Sequence, residues 1–105
     1  MEDIIKIGDD IKANPGRQYT VKQAASDYGI PLRTLKTEFR KTYGVSFYIY
    51  LRNCRMEAAC GLLQDADLSV DAIALKAGYK NPNKFVSVFR KMYGITPEEY
   101  RQGSC

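Results

Sequence analysis

The sequence predicts an all-α chain of seven helices, in which one bihelical unit is written twice around a long central helix. Three observations predict it. FRKTYG (Phe39–Gly44) returns fifty residues later as FRKMYG (Phe89–Gly94). Upstream, TVKQAASDYGI (Thr20–Ile30) matches SVDAIALKAGY (Ser69–Tyr79) at an offset of 49, and downstream GVS is echoed by GIT and Tyr50 by Tyr100. Self-similarity over this distance marks one supersecondary unit made twice. Finally, nothing along the chain alternates with the period of a half-buried strand.

The elements follow in order from apolar spacing and cap chemistry. A first helix at about 2–13 puts Ile4, Ile7 and Ile11 on one face. A second, at 21–28, starts from Thr20, which forms a capping-box pattern with Gln23, and stops at Gly29. A third, at 32–43, follows Pro31, which sets the first turn without supplying a side-chain cap, and ends at Gly44. Ser46 opens the fourth, at 47–64, with Phe47, Tyr50, Leu51, Cys54, Ala58 and Leu62 at helical spacing. Gly61 weakens that helix by roughly 1 kcal/mol against alanine, so it needs packing on both sides. Ser69 caps a fifth helix at 70–77, before Gly78. Asn81 and Pro82 start a sixth at 82–93, closed by Gly94. Thr96 with Glu99 makes a second capping box, with Pro97 at the first position of a seventh at 97–102. The organisation expected is a first subdomain over 1–45, a linker helix over 46–64 and a second subdomain over 65–105, together one module.

Composition narrows the function. At 45% hydrophobic the 105-residue chain suits a folded domain rather than a disordered tail. No apolar run approaches 18 residues, so no membrane partner is expected, and MEDIIKIGDD has no signal-peptide pattern, so a cytoplasmic location is. Histidine is absent, which removes the commonest general base and the commonest transition-metal ligand. No phosphate loop or nucleophile elbow is present either. The expectation is no enzyme, no cofactor and no metal. Cys54, Cys60 and Cys105 show no paired spacing and are read as reduced thiols.

Charge is uneven. Residues 1–30 carry −1, residues 31–55 carry +5, residues 56–75 carry −4 and residues 76–105 carry +4. Each basic segment holds one copy of the hexapeptide. Two basic clusters in register with a repeat favour an anionic polymer as partner.

The repeated pairs have the pattern of a helix-turn-helix, of the homeodomain-like kind. Ala25 and Ala74 are small where two helices cross, and Gly29 and Gly78 stand four residues later, where the chain turns. In each second helix one face is apolar, with Leu35 and Phe39 in the first copy and Phe85 and Phe89 in the second. Arg33, Lys36, Thr37 and Arg40 share another face, and Asn83, Val86, Ser87 and Arg90 are its equivalent. Arg33 has the fork that reads guanine, Asn83 the amide that pairs with adenine, and Val86 a methyl surface for thymine. Lys36, Thr37 and Ser87 join them as base-reading candidates. Arg40, Lys41, Lys84, Arg90 and Lys91 are candidates for holding phosphates. Phe39, Phe89, Tyr43 and Tyr93 are expected in the core rather than as stacking platforms for bases.

GYKNPNKFVSVFRKMYGITPEEYR (Gly78–Arg101) resembles the signature of the AraC/XylS transcription regulators, and RMEAACGLL (Arg55–Leu63) resembles that family's linker-helix pattern. The resemblance covers essentially residues 4–102. It implies two helix-turn-helix subdomains joined by one rigid helix, with the third and sixth helices entering successive major grooves of double-stranded DNA. A central helix of about 18 residues would span ~27 Å, which suits two readers roughly one DNA turn apart. Thr37 and Ser87 stand where members often carry a DNA-contacting arginine. Typical members also carry an effector-binding or dimerisation domain, so this chain is expected to be an excised domain or a small stand-alone regulator. A bacterial, nucleoid-associated transcription factor is the reading that results. The alternative is a helical protein-interaction module docking on RNA polymerase or a partner regulator, through the acidic stretch from Glu57 to Asp71.

Overall fold

A computed structural model describes residues 2–103. They form seven helices: α1 (Glu2–Ala13), α2 (Val21–Tyr28), α3 (Leu32–Tyr43), α4 (Phe47–Leu62), α5 (Val70–Lys76), α6 (Pro82–Tyr93) and α7 (Pro97–Gly103). No strand occurs among the described residues. Cys105 lies outside them; Cys54 and Cys60 are in no disulfide.

The chain divides into two compact units, Met1–Cys54 and Arg55–Cys105, and the division falls within α4. At 16 residues this helix is about 24 Å long. It ends two residues before the expected position. Gln64 N–H donates to the Gly61 carbonyl and Asp65 N–H to Leu62, so the backbone tightens into i→i−3 bonds there.

In the first unit α1 and α2 pack on α3. The core holds Ile4, Ile7 and Ile11 of α1, Val21 and Ala25 of α2, Leu35 and Phe39 of α3, and Phe47 and Leu51 of α4. In the second, Met56, Ala59 and Leu63 meet Ile73, Ala74 and Ala77 and the Phe85–Phe89 pair. The apolar stripe expected along α4 is therefore correct at Phe47 and Leu51 and wrong at Ala58 and Leu62, which are only half-buried. Past Cys54 the buried positions become Met56, Ala59 and Leu63. This half of α4 serves a different core.

The repeat is visible as a repeated aromatic cluster. The Phe39 ring lies 4.7 Å from Tyr43 and 5.3 Å, edge-on, from Tyr50. Fifty residues on, Phe89 lies 4.6 Å from Tyr93 and 5.6 Å, again edge-on, from Tyr100. Each cluster fixes a second helix against the first turns of the helix that follows it. Edge-on pairs suit the ring quadrupole and are worth about 0.5–1.5 kcal/mol beyond their area. The phenylalanines are fully buried; Tyr43 is half-buried and Tyr93 retains 38% exposure. Tyr93 thus sits at the rim of its cluster rather than wholly inside it.

The caps behave as the sequence suggests, with one exception. Thr96 and Glu99 exchange both bonds of a capping box: Thr96 N–H donates to Glu99 Oε1 at 2.9 Å, and Glu99 N–H to Thr96 Oγ1 at 3.2 Å. The box expected at Thr20 is only half formed. Gln23 N–H donates to Thr20 Oγ1 at 3.0 Å, but the Gln23 amide turns forward and donates to Asp27 Oδ1 at 2.8 Å. The i,i+4 carboxylate outcompetes the Thr20 backbone for it.

Candidate nucleic-acid interface

Both bihelical turns close in the same way. Gly29 and Gly78 take positive φ, 62° and 103°. The residue after each glycine reaches back five positions: Ile30 N–H donates to the Ala25 carbonyl and Tyr79 N–H to Ala74, each at 2.9 Å. This closure satisfies a carbonyl that the helix end would otherwise leave open and sets the exit of the second helix. Ala25 and Ala74 are buried at the crossing.

What each turn positions is an amphipathic second helix. On α3, Leu35 and Phe39 are completely buried, while Arg33, Lys36, Thr37, Arg40 and Lys41 are exposed. On α6, Phe85 and Phe89 are completely buried, while Asn83, Lys84, Ser87, Arg90 and Lys91 are exposed. Val86 differs from the rest of its row. It is half-buried and packs against the second core, so only part of its methyl surface is open. The Asn81 side chain accepts from Asn83 N–H at 3.0 Å and Pro82 opens the helix, which holds the Asn83 amide at the start of α6. Arg40–Lys41 and Arg90–Lys91 close the last turns of α3 and α6, where the helix dipole favours cations. Lys41 Nζ stands 3.5 Å from a Glu38 carboxylate oxygen, an i,i+3 pair in which Lys41 is exposed and Glu38 half-buried.

Two features of these surfaces were not anticipated from sequence. In the first unit an open groove of about 590 Å³ runs between α3 and the start of α4. Val21, Phe47 and Tyr48 form its wall, and Lys36, Thr37, Arg40, Lys41 and Ser46 its polar side. In the second unit Arg55 of α4 braces the α5–α6 turn. Its guanidinium carbon lies 5.4 Å from the Tyr79 ring centroid, and a Cβ on Gly78 would come within 2.8 Å of Arg55 Nε. Gly78 is thus required twice, by its φ and by the arginine beside it. The one sequence signal was Arg55 opening the RMEAACGLL segment.

Two bihelical turns, each presenting a basic second helix with its apolar face locked inward, define a tandem helix-turn-helix protein. A helix-turn-helix domain family matches residues 20–103, and the chain belongs to that family, in its AraC/XylS branch. It is 33% identical over 95 residues to the HTH-type transcriptional regulator GadX of Escherichia coli O6:H1, an alignment covering 90% of this chain and 34% of the regulator. The chain thus spans about a third of that relative's length. Among solved structures it resembles the C-terminal domain of the two-component response regulator yesN from Fusobacterium nucleatum, with TM-score 0.83, 32% identity and 96% of each chain covered. It also resembles the DNA-binding domain of AdpA, a global transcriptional factor, solved in complex with a target DNA, with TM-score 0.88, 26% identity, and 93% of this chain and 88% of that one covered.

Proposed function

We propose that this chain binds double-stranded DNA with sequence specificity, placing α3 and α6 in the major groove, and regulates transcription by doing so. The observation that carries the reading is the partition of each second helix: a fully buried aromatic anchor on one side and an exposed polar row on the other. An α-helix fits the major groove, where base edges are distinguishable. Arg33, Lys36 and Thr37 in the first unit, and Asn83, Val86 and Ser87 in the second, are the base-reading set. Arg40, Lys41, Lys84, Arg90 and Lys91 hold phosphates, which position the helices without reading sequence. The family membership and the likeness to the DNA-bound AdpA domain support the DNA-binding reading. Contact with RNA polymerase, a cytoplasmic, nucleoid-associated location, and a further effector-binding or dimerisation domain belong to the same proposal. No helix among the described residues is long and apolar enough to cross a membrane.

Selection of bound duplexes from a random pool tests it. Two short motifs about one helical turn apart are expected. Arg33→Ala should relax preference at one base position of one motif, and Asn83→Ala at one position of the other, each at a cost of ~1–3 kcal/mol. If both variants keep the wild-type affinity and motif, the reading faces are misassigned.

A further inference from the structure

The groove beside α3 has a specific chemical character. Lys36, Arg40 and Lys41 supply three cations, and Thr37, Ser46 and Tyr48 three hydroxyls; no carboxylate lines it. Its wall is otherwise apolar, made by Val21, Phe47 and the Tyr48 ring. Tyr48 is 53% exposed, and its ring stands edge-on to Phe47, with centroids 5.5 Å apart. Its hydroxyl accepts from Val21 N–H at 3.4 Å. That bond occupies a lone pair and leaves the phenolic proton free to be given away. A groove of proton donors with apolar walls is complementary to a chain of phosphodiester acceptors joined by deoxyribose rings.

The second unit repeats part of this surface and changes the rest. Arg90 and Lys91 match Arg40 and Lys41, and Thr96 matches Ser46. Val86 replaces Lys36, and Glu98 and Glu99 replace Tyr48 and Ile49. Both carboxylates are exposed. The bonds from Thr96, with the charge of Arg90 as a lesser contribution, hold the Glu99 carboxyl below its ordinary range. Glu99 therefore stays ionised within reach of the field of Arg90. In the first unit Glu38 pairs with Lys41 at 3.5 Å, and the residues lining the groove include no carboxylate.

We propose that the α3–α4 groove seats a sugar–phosphate strand of the bound duplex, with the Tyr48 hydroxyl as a backbone contact, and that the first unit is consequently the electrostatic anchor of the module. The second unit, with Glu98 and Glu99 at the matching place, grips the backbone less and depends more on its base-edge contacts. This rests on the DNA-binding reading and deepens it.

The test uses fluorescence anisotropy with a duplex recovered from the random-pool selection, titrated across a range of salt. Each neutralised phosphate contributes about −0.9 to the slope of log Kobs against log[salt]. Tyr48→Phe removes the hydroxyl, as donor to the backbone and as acceptor from Val21 N–H, and keeps the ring on Phe47; it should weaken binding about 3- to 10-fold, uniformly across sequences. Tyr48→Glu imitates the second unit; it should weaken binding more than 10-fold and flatten the slope by about 1. Glu98→Gln should tighten binding. Circular dichroism confirms that each variant is folded. Wild-type affinity and slope in both Tyr48 variants, with Arg33→Ala still changing base preference, would overturn the anchor and leave the DNA reading standing. A wild-type chain with no salt-dependent duplex binding would overturn both.

Discussion

Gly8 lies in the middle of α1 on the buried Ile4–Ile7–Ile11 face. Replacing a helix-interior glycine by alanine ordinarily stabilises by about 1 kcal/mol. Here the sign should reverse. A Cβ on Gly8 would run into the Tyr43 hydroxyl and Cζ and stand 2.8 Å from Cε2. The ring must therefore move, and it is held by Phe39 at 4.7 Å and Tyr50 at 4.5 Å. Loosening those two contacts costs about 0.5–1.5 kcal/mol each, and overpacking of this kind typically costs about 1–3 kcal/mol in all. Set against the propensity gain, Gly8→Ala should destabilise by up to about 2 kcal/mol. Gly61 provides the internal control, because a Cβ there meets nothing within 4 Å. Gly61→Ala should stabilise by up to about 1 kcal/mol. Thermal denaturation followed by circular dichroism resolves the difference, since each kcal/mol is worth roughly 4–8 °C in a domain of this size. In a Tyr43→Ala background the obstacle is gone, and Gly8→Ala should then stabilise. A rise in Tm for Gly8→Ala in the wild-type background, or the same sign in both backgrounds, would refute the proposed collision.

The remaining predictions concern protonation and local bonds. Burial first, then the nearby Cys54 and Tyr43 groups, push the Tyr50 phenol up to about 12. Its hydroxyl donates to the Gly8 carbonyl at 3.1 Å, a bond that needs the proton. A folded-state pKa above the unfolded value of 10 means a contribution fully present below pH 10 and lost as pH rises through about 12; Tyr50→Phe should flatten stability across that window in pH-dependent urea melts. Arg101 donates to the carbonyls of Leu63, Asp65 and Leu68 at 3.1, 3.3 and 2.6 Å. Arg101→Lys keeps the charge but cannot span three acceptors, and should lower stability by about 1–3 kcal/mol in the same assay. Thr96→Ala breaks a complete capping box and Thr20→Ala a half-formed one; both should destabilise by about 0.5–2 kcal/mol, with Thr96→Ala the larger.

Much of the fold was legible because its punctuation is chemical. Thr20, Ser69, Asn81 and Thr96 start helices where their side-chain oxygens can accept an orphan N–H. Gly29, Gly44, Gly78 and Gly94 mark the turns and helix ends at positive φ. The interface candidates were legible for a related reason: 3.6-residue periodicity forces Arg33, Lys36, Thr37 and Arg40 away from Leu35 and Phe39 once the latter are buried. Less legible was anything that depends on two distant elements. Ala58 and Leu62 fit one continuous stripe on α4, but a helix that serves two cores has two stripes, and spacing alone does not say where one yields to the other. Nothing in the sequence marks Gly8 as the place where Tyr43 crosses α1. The sequence does not single out Tyr48 either; only the fold sets it in one groove with Lys36 and Arg40.

The repeated hexapeptide is where these strands meet. In each copy the phenylalanine packs against three other rings, and the next two residues are cations in the last turn of the second helix. A residue one position from a buried anchor is rotated by about 100° and cannot turn inward while the anchor stays. Anchoring Phe39 and Phe89 therefore fixes the azimuth of Arg40 and Arg90, and through the helix that of Arg33, Thr37, Asn83 and Ser87. This exposed row needs no contacts of its own to be aimed, which leaves its side chains open to solvent. The first turns of α4 and α7 complete the same cluster through Tyr50 and Tyr100. One scaffold can thus be copied while its two surfaces differ: Lys36 and Tyr48 of the first copy stand where Val86 and Glu98 stand in the second.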